Sequence, residues 1–157
     1  MAGGRSKIAK RAAMEERSKI TYDMTLMHHI ALFEQITGAR LRDCFTDTVR
    51  NCLTFLVEPG EAGKAIGKGA MNIRRLEQLL KQRVRIVEFA DSAVRLVQNL
   101  IAPLQTKNIE RDAEERILIS GIDEQTNGRL IGRGGANLRQ LELQVRRYYP
   151  VKEIKVV

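Results

Sequence analysis

The sequence predicts an α+β protein made of two tandem units, each a three-stranded sheet packed by helices in the order helix, strand, strand, helix, helix, strand. Three observations predict it. Leu130–Leu138 reads L-I-G-R-G-G-A-N-L, and 65 residues earlier Ala65–Ile73 reads A-I-G-K-G-A-M-N-I. Helical and strand periodicities recur in the same order around both stretches. Basic charge also gathers at both: the net charge is +6 over residues 64–85 and +4 over 129–147, against −4 over 88–127 between them. With an overall net charge of +8, this patterning points to a polyanion partner.

Composition narrows the choice. Hydrophobic residues are 43% of the 157, enough for packed cores. Aromatic residues are 4% with no Trp, which argues against base stacking on an aromatic platform. No run approaches the roughly 20 apolar residues of a membrane span, and the N-terminus lacks the apolar segment of a signal peptide. A cytoplasmic protein is expected, with no membrane partner. Cys44 and Cys52, with His28 and His29, lack metal-ligand spacing, so neither a metal nor another cofactor is expected. No activated nucleophile or positioned carboxylate pair emerges, so the chain does not read as an enzyme and no small-molecule substrate is expected.

Taken in order, residues 1–19 carry Arg5, Lys7, Lys10, Arg11, Arg17 and Lys19 against Glu15 and Glu16. Their apolar residues are too few for a committed helix face, which predicts a flexible basic tail. The first unit then occupies residues 20–90. Leu26, Ile30, Phe33 and Thr37 mark a helix from about Thr25 to Thr37, with Thr25 or Asp23 as cap and Gly38 as stop. Two strands, about Arg40–Thr46 and Asn51–Val57, form a hairpin, the second placing Leu53, Phe55 and Val57 on one side. A three-residue loop centred on Thr48 sets Cys44 opposite Cys52, as a disulfide or as two buried thiols. Glu61–Ile66 is a short helix leading into Gly67-Lys68-Gly69-Ala70. A further helix follows with Ile73, Leu76 and Leu80 on its apolar face, and Arg74 and Arg75 off it. Arg83–Phe89 alternates as the closing strand.

The second unit, residues 91–157, repeats this order. Ser92–Ile101 is a helix ended by Pro103, and Ile109–Asp112 and Arg116–Gly121 are strands. Glu124–Ile131 is a short helix into Gly132-Arg133-Gly134-Gly135. Ala136–Tyr148 is a helix with Leu138, Leu141, Val145 and Tyr148 inward, and Val151–Val157 closes the sheet.

A glycine loop feeding a helix lets a phosphate approach backbone N–H groups at the positive end of the helix dipole. A Walker A loop does not fit: Gly63-Lys64-Ala65-Ile66-Gly67-Lys68 is one residue short, and Gly69 stands in place of Ser or Thr. A dinucleotide fingerprint lies between a strand and a helix, whereas each loop here lies between two helices.

Helix–GxxG–helix on a three-stranded sheet resembles the KH domain, and two strands before the helix pair with one after resembles its type II form. The signature resembled is I-G-x-x-G-x-x-[IL]. Ile131, Gly132, Gly135 and Leu138 match it fully. Ile66, Gly67 and Ile73 match in the first copy, where Ala70 replaces the second glycine. Two such domains behind a basic tail are similar to archaeal NusA-like transcription factors. The resemblance is carried by H-I-A-L-F-E-Q-I-T-G-A at 29–39, D-C at 43–44, A-I-G-K-G-A at 65–70, N-I-R-R-L-E at 72–77 and R-I-V-E-F at 85–89.

The resemblance implies single-stranded RNA as partner, about four nucleotides in each groove between loop and sheet edge. The expected transcript is nascent RNA, with RNA polymerase as a second candidate partner. The extra domains of bacterial NusA have no room in this chain, so polymerase binding is not carried over from bacteria. Arg133 and Gly134, and more weakly Lys68 and Gly69, are expected to face phosphates and sugars. Asn72 and Asn137 are placed to reach phosphate or base, and Arg74, Arg75 and Arg139 add charge nearby. Ile66, Ile73, Ile131 and Leu138 form groove floor or core. The free edges near Ile86–Glu88 and Ile154–Val156 offer backbone groups to bases. Transcription elongation, termination or antitermination is the expected process. Ribosome assembly, RNA decay and a KH-based protein scaffold are the alternatives.

Overall fold

The computed structural model describes residues 6–157, with the backbone alone for residues 12–23. Helix α1 runs over Lys7–Thr37, 31 residues, capped by the Ser6 hydroxyl accepting from the Ala9 N–H at 3.2 Å and ended by Gly38 in the left-handed region at φ 63°. The expected start at Thr25 is therefore corrected, and residues 7–19 of the basic segment belong to the helix. No Gly or Pro interrupts Lys7–Thr37, and Lys, Arg, Ala, Met and Glu dominate its first half. Once the packed C-terminal half nucleates the helix, such residues propagate it at little cost. Residues 1–5 of the expected tail lie outside the described residues.

Strands β1 (Leu41–Asp47) and β2 (Cys52–Val57) pair antiparallel, and β3 (Arg83–Glu88) lies parallel to β2, giving the order β1-β2-β3. Between β2 and β3 come α2 (Ala62–Ile66), a 3₁₀ turn at Lys68–Ala70 and α3 (Met71–Leu80). The second unit begins with α4 (Ala93–Ile101). Strands β4 (Thr106–Arg111), β5 (Arg116–Gly121) and β6 (Glu153–Val156) form a second sheet in the order β4-β5-β6, again antiparallel then parallel. Helix α5 (Glu124–Ile131), a 3₁₀ turn at Arg133–Gly135 and α6 (Ala136–Arg146) lie between β5 and β6. The predicted unit thus occurs twice. Several boundaries move: β4 starts at Thr106, earlier than Ile109, α6 stops at Arg146, short of Tyr148, and β6 starts at Glu153, later than Val151.

The β1–β2 hairpin corrects the cysteine pairing. Its turn spans four residues, 48–51, because the Asp47 carboxylate accepts from the N–H groups of Val49 (3.1 Å) and Arg50 (2.9 Å) and extends the first strand to Asp47. The register then sets Cys44 opposite Phe55 and Cys52 opposite Asp47. Both cysteines are buried free thiols. Burial, with Asp43 beside it, pushes the Cys44 thiol up to about 12.

The first core lies between the sheet and α1–α3. Phe33 stacks on Phe55 with ring centroids 4.5 Å apart, among Leu53, Val57 and Leu76. The opposite face of the same sheet is also covered. Phe45, Leu56 and Val87 join one cluster with Leu96, Val97 and Leu100 of α4 and with Ile117, Ile119 and Val145 of the second unit. Strand β2 is consequently buried along its whole length, whereas β5 alternates buried with half-exposed residues. Removing a side chain such as Leu56 from water contributes about 1.5–3 kcal/mol, and here that burial joins the two units.

Polar contacts set their mutual placement. Asp43 accepts from the Arg147 guanidinium at 2.7 Å and from the Tyr148 hydroxyl. Phe89 meets Tyr148 edge-on and Tyr149 face-on, and the Tyr149 hydroxyl donates to the Ala90 carbonyl. These contacts use Tyr148 and Tyr149 just after α6, where the chain turns off the helix axis toward the first unit. Arg85 of β3 donates to the carbonyls of Leu100 and Ala102, satisfying the C-terminal end of α4 across the junction.

Candidate nucleic-acid interface

The two glycine loops have the same backbone. Gly67 (φ 77°, ψ 166°), Gly69 (φ 62°) and Ala70 (φ 59°) correspond to Gly132 (φ 73°, ψ 174°), Gly134 (φ 61°) and Gly135 (φ 76°). Each loop is a helix end followed at once by a 3₁₀ turn. In the first, Gly67 N–H donates to Gly63 O, Ala70 N–H to Gly67 O and Met71 N–H to Lys68 O. In the second, Gly132, Gly135 and Ala136 donate to Gly128, Gly132 and Arg133. These bonds close the turn without using the N–H groups of Lys68 and Gly69, or of Arg133 and Gly134. Those groups sit at the tip, ahead of the first turn of α3 and α6, where an anion is favoured.

Side chains brace each loop from behind. The Asn72 amide donates to the Lys64 carbonyl at 3.1 Å, and the Asn137 amide to the Arg129 carbonyl at 2.7 Å. Each asparagine ties the last turn of the short helix to the start of the next. A Cβ on Gly67 or Gly132 would come within 2.9 or 2.5 Å of that asparagine. Arg74 donates to Gly69 O at 2.7 Å, and Arg139 to Gly134 O. Asn72 and Asn137 therefore act on the loop itself, where the sequence suggested contact with phosphate or base. Their recurrence five residues after Gly67 and Gly132 was the available signal.

The remaining positions separate by exposure. Lys68, Gly69, Arg133 and Gly134 are exposed at the tips, and Arg74, Arg75 and Arg139 are exposed on the helices that follow. Among the described residues, none of the cations Lys68, Arg74, Arg75, Arg133 and Arg139 takes part in an ion pair, so their charge is available to a ligand. Ile131 is 38% exposed and Ile66 half-buried beside the loops. Leu138 packs against the second core, and Ile73 is half-buried. The edge of β3 is partly taken: the Glu88 carbonyl accepts from the Asn99 amide at 2.8 Å. Among the described residues, the edge of β6 pairs with no further strand.

Each loop, with its tip amides and unpaired cations, has the chemistry to hold a phosphate group. Among the described residues, no His, Cys, Asp and Glu groups cluster as metal ligands, and no helix is long and apolar enough to cross a membrane.

Comparison with known proteins bears on the same features. Residues 28–100 match the KH domain family. That stretch covers most of the first unit and the helix that opens the second. The probable transcription termination protein NusA of Halococcus morrhuae is 33% identical over 139 residues, covering 88% of this chain and 99% of that protein. The protein of the same name from Methanocaldococcus jannaschii is 28% identical, over 82% of this chain and 70% of its own. The crystal structure of APE1850 superposes with a TM-score of 0.67 at 29% identity, covering 85% of this chain and 99% of that one.

Proposed function

This chain belongs to the archaeal NusA family of KH-domain proteins, and we propose that it binds single-stranded RNA of the nascent transcript through both glycine loops, the second holding more tightly. The observation that carries this reading is the recurrence of one loop geometry, with its Asn and Arg braces, at two sites each surrounded by unpaired cations. Relatives named as probable transcription termination proteins support placing the RNA contact in transcription. RNA polymerase is a second partner in this reading, reached through the transcript. The factor acts by holding RNA and carries out no chemistry on it.

Cross-linking in cells tests the proposal. RNA recovered with the protein is expected to map to nascent transcripts, with cross-linked peptides spanning Gly67–Ala70 and Gly132–Gly135. Recovery dominated by ribosomal RNA would contradict the assignment to transcription and favour ribosome assembly.

A further inference from the structure

We propose that the junction between the two units is itself a binding site for RNA backbone phosphate, formed by Arg50 and Arg83, through which one strand passes from the first loop to the second. This rests on the RNA-binding reading above and adds to it a third point of attachment that belongs to neither loop.

The site is a groove of about 400 Å³ along the start of β3, lined by Arg50, Arg83, Val84, Arg85 and, from the second unit, Ala102 and Pro103, with Cys52 below. Arg50 lines a second, smaller cavity of about 30 Å³ whose wall includes Arg129 and Asn137 at the base of the second loop. Arg50 is the residue common to both. Positive charge thus continues from the edge of β3, through Arg50, to the helix end that carries Gly132.

The surroundings of Arg50 hold it in place. Asp47, 2% exposed, accepts from the Val49 and Arg50 N–H groups and, through its other oxygen, from the Gln144 amide of α6 at 3.1 Å. One buried carboxylate therefore shapes the β1–β2 turn and ties it to the second unit. Its distance to the Arg50 guanidinium is 3.9 Å, a loose ion pair, and the Arg50 side chain is 41% exposed. Arg85 donates through Nη2 to the carbonyls of Leu100 and Ala102, and among the described residues no carboxylate forms an ion pair with it. Burial, and the like charge of Arg50 beside it, bring the Arg85 guanidinium down to about 10. Arg83 is exposed and in no ion pair among the described residues. An anion in the groove relieves this repulsion. Apart from the Cys52 thiol, the polar side chains lining the groove are guanidinium donors, so the groove fits phosphate.

Two RNA lengths test the inference. A mixed-sequence RNA of about 12 nucleotides, long enough to fill two four-nucleotide grooves and the stretch between them, is compared with one of about 5 nucleotides, which fills a single groove. In Arg50→Glu/Arg83→Glu, affinity for the longer RNA is expected to fall about tenfold or more, while that for the shorter RNA changes less than about twofold. The salt dependence for the longer RNA should drop by roughly 0.7 for each phosphate that the junction no longer neutralises. Arg50→Ala/Arg83→Ala repeats the test without reversed charge, should the first variant fail to fold. Unchanged affinity for the longer RNA, or equal loss at both lengths, overturns the junction site. An equal loss for a 12-base-pair DNA duplex also contradicts it. Arg133→Asp/Gly134→Asp serves as the separate control. If that variant keeps full affinity for both RNAs, the RNA-binding reading itself fails. If it loses affinity while the junction variant does not, the junction alone fails.

Discussion

Gly67-Lys68-Gly69-Ala70 and Gly132-Arg133-Gly134-Gly135 differ at the residue that closes the motif, yet their backbones agree. Ala70 sits at φ 59° where Gly135 sits at φ 76°, so the alanine occupies the left-handed region instead of changing the turn. That costs about 1 kcal/mol. At the equivalent Gly135 an added Cβ would meet the Arg139 guanidinium at 3.9 Å, an ordinary contact. The first glycine is a different case. Gly67 and Gly132 combine φ above 70° with ψ near 170°, a region essentially reserved for glycine, and each packs against its asparagine. The comparison separates a glycine required by packing and conformation from one required by conformation alone.

Substitutions at these positions can break that distinction. The largest effect is expected at Gly132→Ala, where the methyl displaces Asn137 and opens the second loop. RNA affinity should fall about tenfold or more, equivalent to roughly 1.4 kcal/mol, as read by fluorescence anisotropy. Gly67→Ala should distort the first loop equally but cost less affinity, because that loop is the weaker clamp. Equal losses would show that the two loops contribute alike. A smaller effect is expected from exchanging the closing residues. Ala70→Gly should stabilise the protein by up to about 1 kcal/mol and tighten RNA at the first loop about two- to threefold, with Gly135→Ala doing the reverse. Denaturant midpoints check the first effect. A destabilised Ala70→Gly variant would mean that the left-handed alanine carries no strain.

What could be read from the sequence divides along the same line. The repeat was legible because each loop is a local pattern, with glycines, a cation and an asparagine at fixed offsets. Each sheet was legible from alternation, as in Ile117 and Ile119 on the inner face of β5. The second buried face of β2 was harder to see, because Leu56 packs against residues of the other unit. The turn at Thr48–Asn51 was mispaced since the Asp47 side chain, and no glycine or proline, fixes its length. Asp47 bonds Gln144, 97 positions away, and Asp43 bonds Arg147, 104 away. No local period announces such pairings. The length of α1 was missed for another reason: its first half has helix-forming residues without an apolar face, and the apolar pattern was the guide. At the site, Lys68, Gly69, Arg133 and Gly134 stand at the exposed tips, and the Asn72 and Asn137 amides brace the loops through carbonyls of the preceding helices.

The most direct test of the account compares two reversed-charge loops in the intact protein. Arg133→Asp/Gly134→Asp and Lys68→Asp/Gly69→Asp place carboxylates at exposed tips in a backbone region that aspartate tolerates. Thermal melts are expected to remain close to wild type for both. Affinity for a single-stranded RNA long enough to reach both loops should be largely lost in the first variant and lowered to a lesser degree in the second. Undiminished RNA binding by Arg133→Asp/Gly134→Asp, in a protein that melts normally, would contradict the account.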